Sequence, residues 1–270
     1  MAKIKDQKKP ASAVVKAPPP KSAVQVSDLD SEMELDAGAG SEGVTPSDFA
    51  IPFLMMLQSG SPQCKKGDPA RIEGAQEGHI MDTVTNVLYE EVRVIPCAYK
   101  RQLNKWVPRD DGGGFRGVVP WNESLAAEAR QEGYRTEDGY ILKDTAQWFV
   151  LYEDEENEWR PAVIGLSSTQ LTKSRKWMSL IRSIKKTGKH GVYNPPMFSH
   201  IFLASSKQQS NDKGSWSVFD FTIDDEIKDI ELYRTAKLFY ESVVGGGVKV
   251  QDPPSDGPSH SIDEDADSAF

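Results

Sequence analysis

Trp148-Phe149-Val150-Leu151-Tyr152, then Glu153-Asp154-Glu155-Glu156-Asn157, then Trp159-Arg160-Pro161-Ala162-Val163-Ile164: two aromatic and β-branched runs flank an acidic stretch. Side chains of the first and third kind suit a pleated, buried surface, and the charged stretch suits solvent. The segment therefore predicts a hairpin with an acidic tip. A second hairpin is predicted from Phe198–Leu203 and Trp216–Phe221, joined by a polar tip at Lys207–Gly214. Upstream, Val92–Tyr99 alternates apolar with other residues and continues toward Leu103, Trp106 and Val107, a half-buried strand. Helical spacing is confined to three places. They are a short stretch within 122–132, a basic segment at 168–187, and an apolar stripe from Asp224 to about Ser242. Ile51–Leu57 reads as one or two helical turns, and 61–78 as loop. The predicted fold is mainly β with added helices, an α+β class. Strand pattern alone leaves a barrel and a sandwich both open.

The two ends read as disordered. Residues 1–43 and 245–270 are rich in Pro, Gly, Ser, Ala and charge, with too few large apolar groups to offset ordering entropy. The predicted domain is 44–244, long enough for one sizeable core. The net charge of −9 hides a division. Residues 1–27 carry six Lys against Asp6, residues 28–42 carry six acids, and residues 252–270 carry six acids with no Lys or Arg. The middle of the chain is close to neutral and has room for a local basic groove. Two cysteines, Cys64 and Cys97, support neither a disulfide framework nor a zinc site, and suggest reduced thiols in a cytoplasm. No apolar run is long enough to span a bilayer, and no apolar secretory core follows the N-terminus.

Two regions carry candidate binding chemistry. Leu171 to Lys189 holds seven bases and no acid. As a helix it turns Leu171, Trp177, Met178, Leu180, Ile181 and Ile184 inward, with Arg175, Lys176, Arg182 and Lys186 outward; Lys173 adds to the charge. Ser167 and Gln170 have capping-box spacing, Gly188 is a natural stop, and Trp177 is expected as a core anchor. The second region runs from Tyr99 to Arg116. Tyr99, Trp106 and Phe115 are candidates for stacking on bases; Lys100, Arg101, Lys105, Arg109 and Arg116 are candidates for phosphate. Binders of single strands combine these two residue types. The glycine loop after Asp110-Asp111, Gly112-Gly113-Gly114, lacks the ending of a nucleotide-triphosphate loop. His79, His190, His200 and His260 form no catalytic or metal-binding motif, and the acidic runs fall in a loop tip and a tail. No cofactor and no enzymatic activity are expected.

The chain closes on Asp263-Glu264-Asp265-Ala266-Asp267-Ser268-Ala269-Phe270. A terminal Phe can fill a pocket while its carboxylate meets a cation. This ending resembles the single-stranded DNA-binding proteins of bacteria and phages, whose acidic tails end in Phe. The resemblance covers about twenty residues. It implies an OB-fold-like barrel, sequence-tolerant binding of single-stranded DNA in replication or recombination, and docking of replication or recombination partners through Asp263, Glu264, Asp265, Asp267 and Phe270. In that family the tail also competes with DNA for the protein's own groove. Trp106-Val107-Pro108-Arg109 followed by Gly112-Gly113-Gly114-Phe115 resembles uncharacterised phage proteins, with no activity attached. If phage-encoded, the protein would act in the host cytoplasm, and the sequence is compatible with a homodimer. The second reading is a non-enzymatic phage structural or assembly protein. The third is a DNA-processing nuclease, for which Asp220, Asp224 and Asp225 are the acids to revisit.

Overall fold

A computed structural model of the protein describes residues 51–131, 133–212, 214–248 and 250, with 31–33, 35–37, 39, 40, 43 and 253. The chain divides into a unit of Met1–Thr45 and a unit of Pro46–Phe270. In the first, the Glu32 carbonyl accepts from the Asp36 amide at 3.1 Å, closing a helical turn. The rest of the expected N-terminal arm and nearly all of the acidic tail lie outside the described residues.

In chain order the second unit contains β1 (Leu54–Met56), β2 (Ile80–Asp82), β3 (Leu88–Tyr89), β4 (Glu91–Trp106), β5 (Phe115–Pro120) and α1 (Glu123–Ala129). It continues with β6 (Ile141–Glu153), β7 (Trp159–Ser167), α2 (Leu171–Ser183), β8 (Lys186–Gly188), β9 (Gly191–Tyr193), β10 (His200–Asn211), β11 (Gly214–Glu226) and α3 (Ile230–Val244). The protein is thus α+β and mainly antiparallel sheet. Its largest sheet has the order β11-β10-β4-β6-β7, with β5 also on β4. The first predicted hairpin is β6–β7, with Trp148 opposite Ile164 and Glu153 opposite Trp159. Its tip closes through Asp154, whose side chain accepts from the Glu156 and Glu158 amides at 2.9 Å.

The sheet is open. Its outer strands β7 and β11 do not pair with each other among the described residues, so the closed barrel expected from the tail resemblance is not formed. The physical reason is the segment 51–58, which attaches to both edges. The Pro52 carbonyl accepts from the Val163 amide on β7 at 2.9 Å. The Gln58 amide group pairs in both directions with the Ser217 backbone on β11, at 3.0 and 2.8 Å. This segment contains strand β1, not the helical turns expected. Pairing with β2 and a bridge from Phe53 to Val163 override local helical spacing.

Two apolar layers flank the sheet. β6 is buried on both faces, so its run is apolar throughout rather than alternating. Trp148, Val150 and Tyr152 join one core with Trp177, Phe202, Phe219 and Phe221. Phe149 and Leu151 join the other with Ile95, Cys97, Phe198 and Phe239. Trp177 is the core anchor the helix reading expected. It stacks on Phe221 at 3.8 Å and on Trp148 at 4.2 Å.

Several predicted element ends move. α2 stops at Ser183 rather than near 187, and Gly188 belongs to strand β8. Ser183 Oγ turns back onto the Leu180 carbonyl at 2.7 Å, and Asn194 Nδ2 donates to the Arg182 carbonyl at 2.7 Å. Both interactions satisfy orphan carbonyls that a longer helix would have used. At its start, Ser167 makes no capping bond; residues Ser168–Gln170 form a 3-10 turn, and Gln170 accepts from the Phe219 amide at 3.4 Å. α3 begins at Ile230, capped by Asp229, because β11 continues to Glu226. β10 and β11 pair out to Asn211 and Gly214, so most of the expected polar tip is ladder.

Candidate nucleic-acid interface

Pro96 sits in the middle of β4, where its missing amide hydrogen would break a ladder. The register with β6 shifts there, between Pro96 and Ala98. A bulge of this kind inserts one residue and reverses which face later side chains take. Before it, Val94 faces the core that holds Trp148; after it, Tyr99 does, with its ring 5.0 Å from the Trp148 ring. The inserted residue, Cys97, is fully buried, and burial pushes its thiol up to about 12.

Beyond the bulge the ladder with β6 is unbroken to Trp106. Tyr99 and Trp106 are seven residues apart, so they lie on opposite faces. The strip read from Tyr99 to Arg116 as one groove is therefore split. Tyr99, Arg101 and Lys105 take one face. Lys100 and Trp106 take the other, where Lys100 Nζ lies 5.3 Å from the Phe149 ring centre and 3.4 Å from the Val243 carbonyl that ends α3. Trp106 meets Phe115 edge-on at 5.5 Å, with Lys143 over its ring at 5.8 Å. Arg116 is exposed on β5, and Arg109 opens a 3-10 turn with Asp110 and Asp111.

Several candidate cations are engaged within the chain. Arg101 forms a two-pronged pair with Asp144, at 2.9 and 2.5 Å, and its guanidinium covers the Trp121 ring at 4.6 Å. Arg130, which caps the end of α1, reaches the same carboxylate at 2.9 Å. Burial alone would raise the Asp144 carboxyl, but the two guanidiniums outweigh it and hold it below the ordinary carboxylate value. Lys105 pairs with Asp138 at 3.0 Å and covers the Tyr140 ring. Lys176 pairs with Asp220 on β11 at 3.2 Å, and Lys186, off the helix on β8, pairs with Glu226. Lys173 lies half-buried on the Lys176 side of α2.

The same side of the sheet holds a cup. The flank of α2 nearest β4 presents Ser174, Arg175, Met178, Ser179 and Arg182, and with Tyr99 these line a depression of about 320 Å³. Arg175 and Arg182 are exposed, and Tyr99 keeps 36% of its surface. Ser174 is buried beneath and accepts from the Trp148 indole at 2.9 Å, fixing helix to sheet. Burial raises the Tyr99 phenol above its ordinary value against the opposing charge of Arg101, so the ring is a neutral hydrogen-bond donor. Trp121, under the Arg101 guanidinium, keeps 36% of its surface exposed. Trp121, Ser174, Met178, Ser179, Arg130 and Asp144 were not among the residues read as site candidates. The arrangement supplies one accessible ring and two guanidiniums, suited to a base and its phosphates. It holds no paired carboxylates or nucleophile–base couple.

Among the described residues no helix is long and apolar enough to cross a membrane. No curated protein and no solved structure matches the chain. One family model does match, described as Pam3 phage gp34-like protein, over residues 21–249, a span that takes in every strand and helix above. The chain belongs to the Pam3 phage gp34-like protein family.

Proposed function

We propose that this phage protein binds single-stranded DNA without sequence preference, and acts in phage DNA replication or recombination with no chemistry of its own. The observation that carries the reading is the cup, where Tyr99 stays accessible between β4 and the Arg175 and Arg182 guanidiniums. A base stacked on an aromatic ring contributes about 1–3 kcal/mol, and the ring accepts any base because every base has a π-face. A duplex hides those faces, so the cup favours single strands. The acidic tail ending at Phe270 supports the same reading through its resemblance to single-stranded DNA-binding proteins, and gives replication or recombination proteins a docking segment. The test is titration of labelled single-stranded and duplex oligonucleotides of one sequence at two salt concentrations. Single-strand preference with a steep salt slope supports the reading; equal, salt-insensitive or absent binding removes it.

A second reading is favoured by one observation: Arg101, Lys105, Lys176 and Lys186 are all ion-paired within the chain. Cations neutralised in place suit a phage structural or assembly protein whose charges hold its own fold. That protein would show no binding in the same titration.

A further inference from the structure

Strands β8 and β9 form a two-stranded ribbon that belongs to neither core layer. Every residue from Thr187 to Tyr193 is exposed, and Lys186 alone is half-buried. Val192 and Tyr193 expose 70% and 48% of their surface. An isolated two-stranded ribbon is marginal in water, and this one is tied to the fold at its base. Asn194 ties it to the end of α2, donating to the Arg182 carbonyl and accepting from Lys185 Nζ at 2.5 Å. Lys186 ties it to Glu226 on β11. The Tyr193 ring lies across Gly188, where an added Cβ would sit 3.1 Å from the ring. The ribbon is thus braced at its base and exposed to solvent along its length.

We infer that the β8–β9 ribbon is a second contact for the single strand leaving the cup. This rests on the single-strand reading above. Arg182 belongs to both features, since it lines the cup and its carbonyl anchors the ribbon. No Asp or Glu occurs from Leu171 to Tyr193, so this segment contributes only cations between cup and ribbon tip, of which Lys186 is paired with Glu226 on β11. Lys189 and His190 form the tip, and the exposed Tyr193 ring adds a stacking face beside it. The charge of Lys189 at the tip argues against a second copy as the occupant, because like charges brought together there oppose edge-to-edge pairing.

The experiment compares the full chain with Lys189→Gln and Tyr193→Ala on single-stranded oligonucleotides of about four and about twelve nucleotides. The short strand fills the cup; the long one reaches the ribbon. Both substitutions should spare the short strand and weaken the long one several-fold. Lys189→Gln should also lower the salt slope on the long strand by about 0.7. Two results overturn the inference in distinguishable ways. If the unaltered protein binds the long strand and both variants match it, the ribbon contact is wrong while the single-strand reading stands. If the unaltered protein binds neither strand, both fall. Unchanged far-ultraviolet spectra of the variants exclude misfolding as the cause.

Discussion

Asp144→Asn should make the protein less stable and a better binder of single strands. The Asp144 side chain is 4% exposed and accepts three contacts from two guanidiniums, those of Arg101 and Arg130. Removing one partner of a fully buried ion pair costs about 3–5 kcal/mol. Here Arg101 and Arg130 keep 27% and 38% of their side-chain surface, so water takes up part of the loss, and asparagine retains one acceptor. A cost of about 2–3 kcal/mol follows, a large share of the roughly 5–15 kcal/mol that holds a domain together. In urea this lowers the midpoint by about 1 M, for a slope near 2 kcal/mol per M. The same change removes a negative charge that acts on Tyr99 and releases the Arg101 and Arg130 guanidiniums from their shared carboxylate. Binding at low salt should tighten, and the salt slope should steepen by about 0.7 for each released group that reaches a phosphate. Urea unfolding followed by tryptophan fluorescence, paired with oligonucleotide titration, reads both effects. Lower stability with unchanged or weaker binding would refute the idea that these arginines border the site.

Trp177→Ala removes a ring that stacks on both Trp148 and Phe221, and should cost about 3–5 kcal/mol in urea unfolding, with α2 released from the sheet. A loss below 1 kcal/mol would contradict the anchor role. His200 is buried beside Ser199, with Glu226, Lys186 and Asp225 facing it, and burial holds its imidazole below the ordinary value. The folded protein therefore prefers neutral His200, and stability should decline as pH falls below about 6.5, where the unfolded chain takes up the proton first. His200→Gln should flatten that part of the stability–pH curve; an unaltered curve would assign the slope to other groups.

The hairpins and the buried role of Trp177 were legible because they depend on local pattern: aromatic and β-branched runs, and one apolar helix stripe. The site was only half legible. Arg175 and Arg182 were read from the basic helix, and Tyr99 from the aromatic strip. That these meet, and that Trp106 does not join them, depends on one residue inserted at the Pro96–Ala98 bulge. Pro96 in a strand pattern was the available signal, since a central strand tolerates proline only at such a break. The ion pairs were not legible at all. Arg101 finds Asp144, Lys176 finds Asp220 and Lys186 finds Glu226 across about forty residues each, by sheet register that no local spacing encodes. The closed barrel failed for a similar reason. Residues 51–58 carry helix-like spacing, but the two open sheet edges offer them backbone partners.

Single strands are expected to bind at the face of β4 that carries Tyr99, not at the face that carries Trp106. The direct measurement is single-stranded oligonucleotide affinity for Tyr99→Ala, Arg182→Gln and Trp106→Ala, all in the full chain at low salt. Tyr99→Ala should weaken binding by about 1–3 kcal/mol, and Arg182→Gln should lower the salt slope by about 0.7, while Trp106→Ala leaves both unchanged. Loss of binding with Trp106→Ala but not with Tyr99→Ala would contradict the account and move the site to the opposite face of the sheet.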